Sequence, residues 1–522
     1  MFTFTIYDLL AKNLVENANH IAVVSGNAEI SYGELGYSVD IVAKWLHENG
    51  VKRGDRVGIY LPKSIEEIVA TFAISRIGAV FVNINYQWTH HQLAYVLNDC
   101  NIKVLFTDKR QAQNIDKQGL IGQLDHLIIK GKVSAHPKMI SWTELSDTTT
   151  VLPNGPIDVD LAALLYTSGS TGSPKGVMLT HKNIIEGARS VACYLGNTPD
   201  DRILGLLPMS FDYGMSQMTT MFLVGGTLVL QPVVMPTEII KTLISKNVTG
   251  MAAVPPTWLQ VVRYLQEVKT ELPALRYITN SGGSIPQIIL ETMPQVFQNV
   301  DIYLMYGLTE AFRSTYLPPA LFHEKRGAIG KAIPNAELYV VDNERNCLCN
   351  PGEPGELVHR GSLISLGYWR KSEITAEKIK SCQALKPLIG DEKVLYSGDI
   401  VRVDEDGILW FVNRSDSMIK SSGFRISPTE VEDIVYQSNM VGDTVAFGVK
   451  DESLGQVVHI AVSPVDKNGT VDREELIRYC RLNMPNYMIP SQIHLWIGLM
   501  PRTSSGKIDR PMVINTCIEK EQ

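Results

Sequence analysis

The chain is 522 residues long, with 45% apolar and 20% charged residues, enough for two or more domains with large cores. Its 48 Lys and Arg against 55 Asp and Glu leave a formal net charge of −7, which removes any global electrostatic reason to bind nucleic acid or an anionic membrane and favours small-molecule chemistry. Seven scattered cysteines, with Cys347-Leu348-Cys349 as the only close pair, lack the CxxC spacing of a zinc or redox site and read as reduced thiols.

The opening residues 1–8 carry neither the basic region nor the long apolar core of a secretion signal, and no uninterrupted apolar run reaches about 18 residues. A cytoplasmic chain without a membrane span is expected. Short apolar strands then alternate with helical patterns: strand 57–61, helix 65–77, strand 79–83, helix 91–98, strand 104–106. That rhythm predicts βα units feeding a mainly parallel sheet.

The next segment is the most informative. Leu164-Leu165-Tyr166-Thr167 runs as a strand into Ser168, Gly169, Ser170, Thr171, Gly172, Ser173 and Pro174, then Lys175-Gly176 and a second strand, Val177-Met178-Leu179-Thr180-His181. Glycines let the backbone approach a ligand, so N–H groups and the Thr167, Ser168, Ser170 and Thr171 hydroxyls can converge on phosphate oxygens. Lys175 adds a mobile positive charge. Gly176 stands where the P-loop pattern GxxxxGK[ST] needs Ser or Thr, which argues against that ATPase class. A flexible linker is the other reading of a Ser/Gly tract, but linkers do not ordinarily join two apolar strands.

A second α/β run follows: helix 182–195, strand 203–207, helix 215–224, strand 227–230, helix 236–246 and strand 250–254. Two similar α/β halves are expected. From about 327 to 412, Pro351-Gly352, Pro354-Gly355 and Asp406-Gly407 punctuate short segments, suiting hairpins and a small barrel. Beyond Asn413, helix 428–437, strands 444–449 and 457–462, and helix 472–483 predict a compact α+β module. The expected architecture is α/β: a large N-terminal domain (1–412) of two βα-rich sheet subdomains plus a small β-barrel, a hinge (413–416), and a small mobile α+β C-terminal domain (417–522).

Seven short segments stand in an order that resembles the adenylate-forming superfamily of acyl-CoA synthetases, aryl-CoA ligases and amino-acid adenylation enzymes, over nearly the whole chain. They are Ser31-Tyr32-Gly33-Glu34-Leu35, the 164–177 loop, Tyr306-Gly307-Leu308-Thr309-Glu310, Gly355-Glu356-Leu357, Tyr396-Ser397-Gly398-Asp399, Asn413-Arg414-Ser415-Asp416 and Pro501-Arg502-Thr503-Ser504-Ser505-Gly506-Lys507. The tracts 309–319 and 426–432 look like acyl-CoA ligases associated with exosortase systems.

The resemblance implies attack of a carboxylate on the α-phosphate of ATP, then transfer of the acyl group to a pantetheine thiol of CoA or a carrier protein. It implies Thr309 and Glu310 for the α-phosphate and Mg²⁺, Asp399 and Arg414 for the ribose, and Tyr306 with the Gly282-Gly283 backbone for adenine. Gly307 lies in the same motif. Lys507 matches the lysine bridging carboxylate and α-phosphate, Asp416 the hinge about which the C-terminal domain swings, and Gly423 with Arg425 the face toward pantetheine.

Matched in the same way, Asp212, Tyr213, Ser216, Ala253, Thr279, Ser281, Met305, Arg313 and Ser314 wall the acid pocket. Phe211-Asp212 resembles amino-acid adenylation enzymes, in which the aspartate meets the substrate ammonium. Asp212, Ser281 and Arg313 together resemble stand-alone ligases for β-amino acids of the aspartate type. Two readings stand: a small amino acid or amino dicarboxylate held by these charges, or a structural Asp212–Arg313 pair beside a pocket for an uncharged acyl group. A luciferase-like oxidase shares the architecture, and a non-catalytic descendant would be expected to lose Lys175, Thr309, Glu310, Asp399, Arg414 and Lys507, all of which remain.

Overall fold

The computed structural model describes residues 2–133, 136–167, 174–414, 419–421, 424–451, 455–466, 469–484, 488–503 and 506–519. Ser168, Gly169, Ser170, Thr171 and Gly172 of the glycine loop, Asp416 and Gly423 lie outside the described residues, as does the side chain of Arg425.

Local rules start the elements. Ser31 accepts from the Glu34 N–H at 3.2 Å while Glu34 Oε2 accepts from the Ser31 N–H at 2.9 Å, a capping box opening the helix Tyr32–Glu48. The Ser31–Leu35 segment thus has a structural explanation: the box starts the helix, Leu35 is fully buried, and the Tyr32 hydroxyl donates to Gly226 O at 2.7 Å. Thr180 and Asn183 build the same box for His181–Leu195, directly after the strand Lys175–Thr180.

A seven-stranded sheet runs in the order Met139–Ser141, His126–Lys130, Val104–Asp108, Arg56–Tyr60, Val80–Asn83, Leu161–Thr167, Lys175–Thr180, parallel except for its last pair. The nine-stranded sheet runs Lys331–Ala332, Thr315–Leu317, Asp301–Tyr306, Tyr277–Asn280, Gly250–Ala253, Arg202–Gly205, Thr227–Leu230, Ile21–Ser25, Ala28–Ser31. Its strands from Asp301–Tyr306 to Ile21–Ser25 are parallel. The two halves are therefore not consecutive in the chain. The N-terminal hairpin 21–31 crosses over to join the second sheet, with Val23 opposite Leu228, because its apolar face completes the core between the sheets. That core buries Phe72, Phe81, Phe222 and Tyr32, with the Phe72 and Phe222 rings 4.8 Å apart.

The region expected to form a barrel is a six-stranded antiparallel sheet. Its ladder, among the described residues, runs open from Cys347–Leu348 to Ile379–Ser381, with Leu409–Arg414 paired on Lys393–Val403. A five-stranded sheet with the helices Pro428–Gln437, Arg473–Asn483 and Arg510–Glu519 forms the smaller C-terminal unit. Its Ser427 hydroxyl donates to Val412 O at 2.9 Å. The seven cysteines are free thiols, and no helix among the described residues is long and apolar enough to cross a membrane.

One lysine, with a buried glutamate near it, ties the two large sheets. Lys63, beyond the strand Arg56–Tyr60, donates to the carbonyls of Leu206 and, at 2.9 Å, Gln231, at the ends of two strands of the other sheet. Burial pushes Lys63 down to about 8, and pushes Glu67 up to about 8 against the opposing pull of Lys63. A carboxyl that holds its proton more tightly folded than unfolded contributes stability at low pH, lost as pH rises from its ordinary 4.5 to about 8. Lys63 stays charged in both states through that window; above about 8 it loses its proton first in the folded state, and stability rises with pH. The expected result is a thermal midpoint that falls from about pH 6.5 to 8 in the wild type and falls less in Glu67→Gln; below 6.5 the buried His181 and His359, lowered to about 4 and about 3, pull the other way in both proteins. Asp433, pushed up to about 7 by burial with Glu432 and Glu430 beside it, contributes in the same direction, so the slope shrinks without vanishing. Identical slopes in the two proteins would remove Glu67 as its source.

Candidate active site

The carboxyl ends of the parallel strands converge on one crevice, where open α/β sheets place their ligands. Gly250–Ala253 delivers Ala253, Tyr277–Asn280 delivers Thr279 and leads to Ser281, Gly282 and Gly283, and Asp301–Tyr306 delivers Met305 and Tyr306. Arg202–Gly205 leads through Leu207 and Pro208 to Asp212 at the head of the helix Asp212–Val224. Gly214 makes that turn: a Cβ there would stand 2.0 Å from Pro208 O.

Asp212 and Arg313 form an ion pair, Nη1 to Oδ2 at 3.0 Å, with side chains 4% and 2% exposed. Thr309 Oγ1 stands 3.4 Å from the other Asp212 oxygen, and the guanidinium lies over the Tyr213 ring at 4.7 Å. Arg313 points there because Phe312 is a buried non-glycine residue at φ 54°, with the Arg313 N–H bonded to Ala311 O at 2.6 Å. This is a γ-turn of the strained hand. Gly187 leaves room for the Phe312 ring, which a Cβ would meet at 2.3 Å. The pair uses only part of the fork: Arg313 Nε and the Ser314 hydroxyl are buried without a hydrogen-bond partner among the described residues. Around them stand Tyr213, whose hydroxyl meets Thr279 Oγ1, buried Ser216 and Ser281, and Met305, whose sulfur accepts from Tyr194 at 2.9 Å.

On the neighbouring wall the Tyr306 hydroxyl donates to Asp399 Oδ2, and Arg414 Nε lies 3.3 Å from Asp399 Oδ1. Burial, reinforced by Asp399, raises the Tyr306 phenol well above its ordinary range, so it stays a donor. The strands Pro354–Gly361 and Lys393–Val403 hold Asp399: Ser397 Oγ accepts its N–H at 3.0 Å, and Glu356 Oε1 accepts the Gly398 N–H at 2.9 Å. Two of the sequence segments, 355–357 and 396–399, are thus partners across one ladder. Beneath Tyr306 lies His359, ring centroids 6.4 Å apart, held neutral by burial at about 3.

Thr167 and Lys175 face each other where the last two strands of the seven-stranded sheet part to make the glycine loop. Glu310, in the short turn Thr309–Ala311, accepts from the Tyr368 hydroxyl at 2.6 Å. Gly307 brings this turn against the next segment, since a Cβ there would stand 3.3 Å from Arg313 Cα. Lys507 enters from the C-terminal unit: its Nζ lies 5.7 Å from the Phe211 ring centroid, and a Cβ at Gly282 would meet its Cε at 2.8 Å. Gly506 at φ 83° makes this approach, with the Thr503 N–H bonded to Lys507 O at 2.7 Å. Burial pushes Lys507 below the ordinary lysine range, with Asp212 the largest opposing influence.

Described residues from both units thus line one crevice. Sequence reasoning assigned no role to Tyr368, His359 or Glu356. The Gly367-Tyr368-Trp369 tract carried only a local glycine-aromatic signal, and Gly355-Glu356-Leu357 served as a landmark without a task.

A family model described as AMP-binding enzyme matches residues 10–369, and one described as AMP-binding enzyme C-terminal domain matches residues 430–507. Over 508 residues the chain is 30% identical to a medium-chain fatty-acid–CoA ligase of Escherichia coli (strain K12), covering 94% of this chain and 86% of that protein. It is 28% identical over 512 residues to tyrocidine synthase 2 of Brevibacillus parabrevis, covering 97% of this chain and 13% of that much longer protein. Among solved structures, an anthranilate CoA ligase in complex with anthranoyl-AMP matches with a TM-score of 0.88 at 25% identity, over 98% of this chain and 97% of that one.

Proposed function

Because this chain belongs to the AMP-binding enzyme family, a family of AMP-forming ligases, we propose that it joins a small amino acid, of the amino dicarboxylate type, to ATP as an aminoacyl-adenylate and then to a pantetheine thiol. In the first half-reaction a substrate carboxylate oxygen bonds to the α-phosphorus as the bond to pyrophosphate breaks. In the second, the thiol sulfur bonds to the acyl carbon and AMP leaves.

The observation that carries the substrate class is the buried Asp212–Arg313 pair with Arg313 Nε and the Ser314 hydroxyl left over. Buried charges need partners. A substrate bringing an ammonium to Asp212 and a second carboxylate to Arg313 and Ser314 leaves neither stranded, and guanidinium suits a planar carboxylate. An amino acid with an apolar side chain would engage Asp212 and leave Arg313 without its anion. The intact pair supports a second reading, in which both charges stay together and the wall of Tyr194, Tyr213, Tyr303 and Met305 takes an uncharged acyl or aryl group. The medium-chain fatty-acid ligase among the relatives is in keeping with that reading.

Lys507 supplies positive charge where the carboxylate meets the α-phosphate, and Lys175 with the Thr167 to Gly172 loop holds the outer phosphates. Asp399 and Arg414 take the ribose, while Tyr306 and the Gly282-Gly283 backbone flank adenine. No group of three or more metal-ligating His, Cys, Asp or Glu side chains stands among the described residues. A lone hard carboxylate, Glu310 beside Thr309, suits Mg²⁺ that arrives with phosphates and keeps its waters. When bound, Mg²⁺ neutralises phosphate charge. Residues 1–412 would form the adenylating domain and 417–522 the mobile one, turning about Asp416 to exchange Lys507 for the face carrying Gly423 and Arg425. The thiol belongs to CoA or to a carrier protein, and the location proposed is cytoplasmic.

Carboxylate-dependent ATP–pyrophosphate exchange tests the reading without needing the acceptor. Exchange with an amino dicarboxylate and none with fatty acids is expected. Strong exchange with medium-chain fatty acids alone would overturn the amino-acid reading and leave the ligase class intact.

A further inference from the structure

The segment Ser365 to Trp369 lies against the strand Lys175–Thr180 and the turn that bears Glu310, and it is pinned along its length. Tyr368 bridges Val177, Met178 N–H donates to Gly367 O at 2.9 Å, and Leu366 N–H donates to Met178 O at 2.9 Å. Trp369 N–H donates to Gly176 O at 2.8 Å, and Ser365 N–H donates to Glu310 O at 2.7 Å. The Tyr368 N–H is held by Thr375 Oγ1 at 2.9 Å. The buried ring therefore has a fixed backbone beneath it. Its hydroxyl donates to Glu310 Oε1 at 2.6 Å, while Lys175 Nζ lies 6.0 Å from its ring centroid.

We infer that Tyr368 is a positioning residue for adenylation: its hydroxyl aims the Glu310 carboxylate and its ring face steadies the Lys175 ammonium, setting two charges for polyphosphate at a fixed spacing. The inference rests on the reading of Glu310 as the Mg²⁺ carboxylate. A carboxylate has two oxygens and about four lone-pair sites. Fixing Oε1 leaves Oε2 for the cation and removes freedom that a flexible glutamate would otherwise lose on binding. Lys175 sits at the outer limit of cation–π distance, so the hydroxyl is the stronger half of the device.

The test is calorimetric titration of ATP into the full chain, without acid substrate, across a series of Mg²⁺ concentrations and in excess chelator. Tyr368→Phe keeps ring and backbone and removes only the donor. The expected result is a rise of about tenfold in the Mg²⁺ concentration that half-maximally strengthens ATP binding, in line with the ten- to hundredfold effects of groups that orient metal ligands. Binding in chelator should not change. Tyr368→Leu should show the same rise and weaker binding in chelator as well, through Lys175, and it carries the test if the phenylalanine variant does not fold. A wild-type Mg²⁺ midpoint in Tyr368→Phe, alongside loss of Mg²⁺ dependence in Glu310→Gln, would overturn the positioning role alone. Wild-type behaviour of Glu310→Gln would overturn the reading on which it rests.

Discussion

Alanine at Lys507 is expected to lower the adenylation rate by about a hundredfold or more while leaving ATP binding largely intact. The side chain reaches the crevice from the C-terminal unit and is half-buried beside Phe211, Gly282 and the charges of Asp212, Asp399 and Glu310. A cation in such a site interacts most strongly where negative charge develops between the approaching carboxylate and the α-phosphate. Removing one preorganised donor of that kind costs about 10²–10³ in rate. ATP–pyrophosphate exchange measures the loss and calorimetry the binding. If the lysine is exchanged for another face after adenylation, thioester formation from supplied acyl-adenylate should survive the substitution. Because burial lowers its pKa in the free protein, exchange at limiting substrate, which reports the free enzyme, should fall at a pH below the ordinary lysine range as pH rises. Unchanged adenylation in Lys507→Ala would remove this residue from the mechanism.

The second large effect belongs to Asp212. Asp212→Ala strands Arg313 in a site where both side chains are nearly inaccessible, and breaking a buried pair by removing one partner costs about 3–5 kcal/mol. Denaturant unfolding should report that loss, and replacing both residues by apolar ones of similar volume should recover much of it. Exchange separates stability from recognition. Under the amino dicarboxylate reading, Asp212→Ala loses exchange with the amino acid, and the stability-rescued double variant does not regain it. Under the uncharged-acyl reading, the double variant keeps exchange with its acid. Restored amino-acid exchange in the double variant would refute a role for Asp212 in recognition.

Much of the fold was legible because the signals are local. Helix 428–437 is predicted and observed with the same bounds, and the strand 227–230 likewise. Other ends shift by a few residues: Thr180 caps the helix from His181, where capping outranks hydrophobic period, and the helix expected from 215 begins at Asp212 without a side-chain cap. The glycine loop falls between two paired strands, as its flanks required. By contrast, the hairpin 21–31 carries no mark of the sheet it joins; only the apolar space between the two sheets decides that it pairs with Thr227–Leu230.

For the site, the sequence by itself determined the residue types and their order: a hydroxyl-rich loop, Thr309-Glu310, Asp399, Arg414, a late lysine. Tertiary structure alone decided who meets whom. Asp212 and Arg313 stand 101 positions apart, yet a γ-turn at Phe312 aims one at the other. Tyr368 and Glu310 stand 58 apart and meet because the 365–369 segment adds itself to the strand after the glycine loop. Side-chain periodicity and capping act within a turn or two of the chain, whereas the pairing of buried charges depends on where strand ends are brought together, and that is fixed only when the sheets pack.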